Sequence, residues 1–124
     1  MKTLTNVAQI LVRITGAIQI LLGLAIWVGV ADVFIPVHIL SGIILVVCFW
    51  ILAIMAARVG ANLGFVVFAF VWGLLAAVLG LIHEGLIPGQ AHWIIQVIHL
   101  VVGLALLGMA ERLGRQIKQN YQSV

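Results

Sequence analysis

The stretch Gln96-Val-Ile-His-Leu-Val-Val-Gly103 lies inside a mostly apolar run that extends from Trp93 to Ala110. A helix of that length can cross the hydrocarbon core of a bilayer. Ionisable side chains are costly inside such a span, so each one marks a candidate functional position. We therefore interpret the rest of the chain in relation to His99.

A second stretch of the chain has the same form. His38-Ile-Leu-Ser-Gly42 matches His99-Leu-Val-Val-Gly103, with histidine first and glycine four residues later. Four residues are about one helical turn, so each glycine lies on the same helix face as its histidine. The repetition predicts two histidines that face each other from separate helices.

The composition indicates an integral membrane protein. The 124 residues are 65% hydrophobic and 7% charged, and the mean hydropathy is +1.34. A soluble domain of this size is mostly surface and could not bury so many apolar side chains. The formal charge of +3 comes from a few basic residues near the span ends, so we expect a lipid bilayer and no nucleic acid as partner.

The hydropathy pattern predicts an all-α fold with a single domain, residues 1–124, that crosses the membrane as an antiparallel up-down-up-down four-helix bundle. Short connections with turn residues separate the spans. A polar helical tail, residues 111–124, follows the last span. The predicted spans are residues 14–30, 34–57, 63–82 and 91–110.

The charged residues predict the orientation. In a four-span arrangement the basic side chains all fall on one side: Lys2, Arg13, Arg58, Arg112, Arg115 and Lys118. Asp32 and Glu84 fall on the other side. The positive-inside rule then predicts a multi-pass protein of the inner cell membrane with both termini in the cytoplasm. The four histidines, His38, His83, His92 and His99, belong to the outer half.

Glycines extend the repeat to the other two helices. Gly16 and Gly23 in the first span have the same seven-residue spacing as Gly73 and Gly80 in the third. Seven residues are nearly two turns, so each pair lies on one helix face. The two halves of the chain are therefore similar helical hairpins.

Facing imidazoles suggest a shared metal. A neutral imidazole in an apolar interior needs a partner for its ring nitrogens. Haem iron suits two of them, because bis-imidazole ligation fills both axial positions. Glycine would let a flat macrocycle lie close to the backbone. Other readings stay open: another metal or a proton relay for the histidines, and plain helix packing for the histidines and the glycines.

The arrangement resembles the four-helix haem-binding core of membrane b-type cytochromes, as in the respiratory quinol–cytochrome c reductases. This resemblance implies that His38 and His99 are axial ligands. It also implies a glycine-lined haem site; the candidate lining residues are Gly16, Gly23, Gly42, Gly73, Gly80 and Gly103. The family has a second histidine pair deeper in the bundle, but here the corresponding positions are near Leu52 and Leu113. We therefore expect one haem b per chain, bound non-covalently because no C-x-x-C-H motif is present.

The resemblance implies electron transfer, or sensing or carriage of haem, rather than catalysis by the chain. The electron donor or acceptor is unidentified; a quinol or a periplasmic redox protein would suit. The alternative is a small four-span transporter or accessory subunit without a cofactor, although the first span has Gln19 and no acidic residue. The sequence leaves open whether the chain is a homo-oligomer and whether His83 or His92 contacts a cofactor.

The predicted orientation can be tested with a reporter fused after Val124. We expect a reporter that works only in the cytoplasm to be active at this position, because the basic residues keep the terminal end of the bundle in the cytoplasm. The same reporter fused in the connection near Glu84 should be inactive. A C-terminal reporter that is active only in the periplasm would contradict the assignment.

Overall fold

The computed structural model describes residues 1–123 and consists of four long helices joined by short connections. Two single turns of 3-10 helix, Asp32–Phe34 and His83–Gly85, precede α2 and follow α3. Residues 1–123 contain no β-strand, so the predicted all-α class is confirmed for this part of the chain. The helices are α1 Lys2–Trp27, α2 Ile35–Arg58, α3 Leu63–Ile82 and α4 His92–Gln122.

The helix ends follow from local chemistry. Gly29 and Gly60 have positive φ angles of 77° and 79°, which end α1 and α2 in turns that favour glycine. Pro36 stands in the first turn of α2, where its missing N–H costs nothing. The side chain of Asn62 caps α3 by accepting a hydrogen bond from the Phe65 amide at 3.0 Å.

Two helices are longer than the predicted spans. α1 begins at Lys2, so the polar residues before residue 14 belong to the same helix as the apolar stretch. α4 continues without a break from the apolar stretch into the predicted polar tail and ends at Gln122. Val124, the last residue of that tail, lies outside the described residues.

Each of the four helices is long and apolar enough to cross a membrane. Their outward faces carry large apolar side chains, among them Leu21, Val71 and Leu104. A belt of this kind would be unfavourable in water but suits contact with lipid tails.

The four helices do not contact each other equally. Helices adjacent in sequence pack side by side, α1 also packs on α4, and α2 meets α4 across the centre. Within residues 1–123, α1 and α3 do not pack on each other. The two helices that carry His38 and His99 are therefore the two that meet at the centre of the bundle.

The main hydrophobic core fills the half of the bundle that contains the chain termini, and only a small cluster of Leu79, Ile95 and Val102 is buried in the other half. Leu52 and Leu113, at the depth where a second histidine pair would be expected, are fully buried. In α1, which the structure describes throughout, no residue beyond Gly16 is buried. The bundle is thus closed near the termini and loosely packed around His38 and His99. The largest fully buried apolar side chains are Phe49, Leu52, Leu106, Leu113, Ile117 and Val12.

Polar contacts join α1 and α2 to α4 in the closed half. Arg13 Nε and Nη2 donate to the two carboxylate oxygens of Glu111 at 2.6 and 2.9 Å. Asn120 Nδ2 donates to the carbonyl of Val59 at 3.0 Å. The ion pair joins residues 98 positions apart, so no local spacing in the sequence could predict it.

Substitution of Phe49 can test how much the closed half contributes to the stability of the bundle. We expect Phe49→Ala to lower the free energy of unfolding by about 3 kcal/mol, because the side chain is fully buried and its loss leaves a cavity. Phe68→Ala is the matched control, since that ring is 49% exposed on the outer surface. Denaturant unfolding in detergent, followed by circular dichroism, measures both changes. Equal effects of the two substitutions would contradict the assignment of the core.

Candidate functional site

A cavity of about 270 Å³ lies between the four helices in the loosely packed half. This volume is close to the lower end of the roughly 300–1,000 Å³ that is typical of ligand pockets. All four helices contribute to its wall, which is mainly apolar. Most of the residues predicted from the sequence line it: His38, His99, Gly16, Gly23, Gly42, Gly80 and Gly103.

His38 and His99 face each other across this cavity. Their ring centres are 6.4 Å apart and their ring planes make an angle of 73°. Two imidazoles that share one metal through bonds of about 2 Å place their ring centres about 6 Å apart. The observed separation therefore fits a single metal held between the two rings.

The hydrogen bonding of the four histidines separates them into two classes. The Nδ1 atoms of His83 and His92 contact the carbonyl oxygens of Gly80 and Leu86, both at 3.1 Å. The Nδ1 atoms of His38 and His99 are buried and have no hydrogen-bond partner among the described residues. Leaving a buried polar atom unpaired costs about 1–3 kcal/mol, so this pair is not explained by hydrogen bonding within the bundle.

Two of the predicted glycines lie against the rings of the two histidines. A Cβ atom on Gly23 would stand 3.2 Å from His38 Cε1 and 4.0 Å from Nε2. A Cβ atom on Gly80 would stand 3.2 Å from His99 Cε1 and 3.9 Å from Nε2. These glycines therefore make room first for the histidine edges, and they do so in the same way in the two hairpins.

The remaining predicted glycines have different surroundings. Gly16 lies against the side chain of Leu107, and Gly42 lies against the Gln19 amide. No neighbouring atom lies within 4 Å of a Cβ built on Gly103, so this residue leaves open space in the cavity wall.

Gly73 was predicted to line the haem site, but it lies outside the cavity. It lies in the closed half against Phe49 and the Trp50 indole, and it is not part of the cavity wall. A side chain at this position would collide with the indole, so Gly73 allows α3 to approach α2. The seven-residue spacing from Gly80 places both glycines on one face of α3, but that face meets different neighbours at its two depths.

Gln19 and Ser41 are polar residues of the site that the sequence did not identify as a pair. Gln19 Nε2 donates to the Ser41 hydroxyl at 2.6 Å and also to the backbone carbonyl of His38. The amide thus ties α1 to the first turns of α2, next to one of the two facing histidines. The only signal in the sequence was an amide in the middle of an otherwise apolar span.

His83 also belongs to the site, a question that the sequence left open. Its ring is half-buried, lines the cavity and stacks on His99 with ring centres 5.0 Å apart and planes within 9°. His92 also stacks on His83, with ring centres 6.2 Å apart, but it is not part of the cavity wall. Glu84 and Gln96 also contribute polar side chains to the cavity wall.

This site offers too few ligands for a metal ion without a macrocycle. Over residues 1–123, no group of three or more His, Cys, Asp or Glu side chains could hold a metal ion. Zinc normally takes three or four protein ligands. Haem iron differs, because the macrocycle supplies four nitrogens and the protein needs to add only axial ligands. Two facing histidines beside an apolar cavity therefore suit haem iron better than an isolated ion.

Comparison with family models, with curated proteins and with solved structures finds no match for this chain. The interpretation of the site consequently depends on the geometry of its own residues.

Gly23 and Gly80 can be tested by filling the space beside the histidine rings. We expect Gly23→Leu and Gly80→Leu to reduce the amount of bound cofactor several-fold. The new side chain would displace the adjacent imidazole, which is His38 for Gly23 and His99 for Gly80. Gly108→Leu is the control: this exposed glycine is also helical, and nothing lies within 4 Å of its Cβ position. Absorption spectra normalised to protein measure cofactor content. If Gly23→Leu and Gly80→Leu retain full content, the two glycines are only packing residues.

Proposed function

We propose that the protein is a membrane b-type cytochrome that binds one haem b non-covalently, with His38 and His99 as its axial ligands. The observation that supports this most directly is the facing pair of imidazoles, with ring centres 6.4 Å apart, in a mainly apolar cavity between the four helices. When bound, haem supplies reversible one-electron chemistry.

The surroundings of the two histidines support such a role for the chain. Gly23 and Gly80 keep the ring edges free of neighbouring side chains. Aliphatic residues such as Leu100 and Ile39 form much of the wall and would exclude water from the ligands. Exclusion of water and a low local dielectric are among the means by which proteins set a redox potential.

The uneven packing of the bundle supports the proposed stoichiometry of one haem per chain. Leu52 and Leu113 are fully buried in a close-packed region, so the closed half leaves no room for a second macrocycle. One haem near one end of the bundle would not provide an electron path across a whole membrane. We therefore infer exchange of electrons with a partner on one side, or sensing or carriage of haem.

The proposed location is the inner cell membrane, with four antiparallel spans and both termini in the cytoplasm. Four helices of sufficient length and hydropathy support the spans. The basic residues at the terminal end of the bundle support the orientation. This orientation places the two histidines near the periplasmic face, where a periplasmic redox protein or a membrane-dissolved quinol could act as partner.

Electron transfer suits the site better than catalysis at the iron. Two protein ligands would occupy both axial positions and leave none for a substrate. Among residues 1–123, the cavity wall includes one carboxylate, Glu84, and no cysteine or serine.

The ligand assignment is tested with the purified protein from haem-replete cells. We expect one haem b per chain and the sharp reduced bands of a six-coordinate low-spin centre. His38→Ala or His99→Ala should cause haem loss or a high-spin spectrum, because either change removes one of two iron–nitrogen bonds. Absorption spectra of the oxidised and reduced forms measure this.

His92→Ala is the control, because this histidine is outside the cavity wall and its Nδ1 contacts a backbone carbonyl. Its spectrum should match that of the unmodified protein. A colourless protein would refute the proposal and favour the cofactor-free transporter or accessory subunit. A haem that survives the loss of both His38 and His99 would refute this ligand pair.

A further inference from the structure

His83 lies at the junction between α3 and the following 3-10 turn, in direct contact with His99. The two rings are stacked almost parallel, with centres 5.0 Å apart and an angle of 9° between their planes. The Nδ1 atom of His83 donates to the carbonyl of Gly80 at 3.1 Å, since a carbonyl can only accept. The ring of His83 is therefore anchored to its own helix and presents its face to His99.

The ring of His99 is bounded on two sides by the same end of α3. Gly80 leaves room for its edge, since a Cβ atom on this residue would stand 3.2 Å from His99 Cε1. His83 covers its face. The stack on His83 is therefore the contact that restricts rotation of the imidazole about its bond to Cβ.

His38 lacks this arrangement. Gly23 faces its edge in the same way that Gly80 faces His99. However, the only aromatic contact of His38 in the described part of the chain is the 73° contact with His99 itself. The two hairpins thus match in their glycine–histidine contacts and differ in the aromatic ring that covers only one histidine.

We infer that His83 is a positioning residue that sets the ring plane of His99 and so keeps it crossed relative to the plane of His38. The inference rests on the proposed haem ligation by His38 and His99. An axial imidazole can rotate about its metal–nitrogen bond, so the surrounding protein must define its plane. Stacking on His83 defines that plane for His99, because aromatic rings in face-to-face contact favour a parallel offset arrangement.

Two substitutions separate the two contacts of His83. His83→Asn removes the ring but keeps an amide N–H near the position of Nδ1, which can still donate to Gly80. His83→Phe keeps an aromatic face against His99 but cannot donate to Gly80. His92→Ala removes a ring that does not contact His99 and serves as the control.

The readout is the electron paramagnetic resonance spectrum of the ferric protein. Crossed axial imidazole planes give a highly anisotropic low-spin signal, and parallel planes give a rhombic signal with a smaller maximum g value. We expect the anisotropic signal in the unmodified protein, in His83→Phe and in His92→Ala. His83→Asn should shift intensity toward the rhombic signal while retaining haem, because His99 becomes free to rotate.

A second readout does not require haem. In the nuclear magnetic resonance spectrum of the cofactor-free protein, the ring current of His83 should shift the imidazole C–H signals of His99 upfield. His83→Asn should abolish this shift, and His83→Phe should preserve it.

Several outcomes would overturn the inference. An electron paramagnetic resonance spectrum of His83→Asn that matches the unmodified protein would show that the stack does not set the ring plane of His99. A loss of the anisotropic signal in His83→Phe with retention in His83→Asn would assign the effect to the hydrogen bond with Gly80 instead. A haem-containing protein that shows either result would leave the ligand assignment intact, whereas a colourless protein would refute the haem proposal itself.

Discussion

The bundle depends on one constraint: it holds two imidazole rings whose buried Nδ1 atoms have no hydrogen-bond partner among residues 1–123. Moving a polar group from water into an apolar interior is unfavourable unless the group is bonded there. His83 and His92 satisfy the requirement with backbone carbonyls, whereas the buried Nδ1 atoms of His38 and His99 do not. The two rings that lack such a bond are also the two that face each other across the cavity, and the haem proposal rests on this arrangement.

The two halves of the bundle are packed differently, and this difference leaves room for the two unpaired histidine rings. Near the termini, buried side chains such as Phe49 and Leu113 fill the interior, and the Arg13–Glu111 ion pair joins α1 to α4. Around the histidines the helices enclose a cavity instead. Apolar burial stabilises the fold mainly in the closed half, which leaves the other half free to keep space for a ligand.

The two hairpins resemble each other in detail at the site but differ elsewhere. Each contributes one glycine that leaves room for the edge of one histidine, since an added Cβ atom would stand 3.2 Å from Cε1 of that ring. The first hairpin then adds Gln19, which bonds to the His38 carbonyl, and the second adds His83, which stacks on His99. The two facing rings are therefore supported by different chemistry, although the sequence pattern around them is the same.

The sequence by itself determined the features that depend on local spacing and hydropathy. The four helices, the His-x-x-x-Gly pattern in the second and fourth, and the filled positions at Leu52 and Leu113 all follow from residue type and helical period. Only the tertiary structure decided which side chains meet across helices. It placed Gly73 against Trp50 instead of the cavity, paired Arg13 with Glu111, and stacked His83 on His99. The physical reason is that the period of a helix determines which residues share a face, whereas the rotation and depth at which two helices pack depend on the fit of all their side chains together.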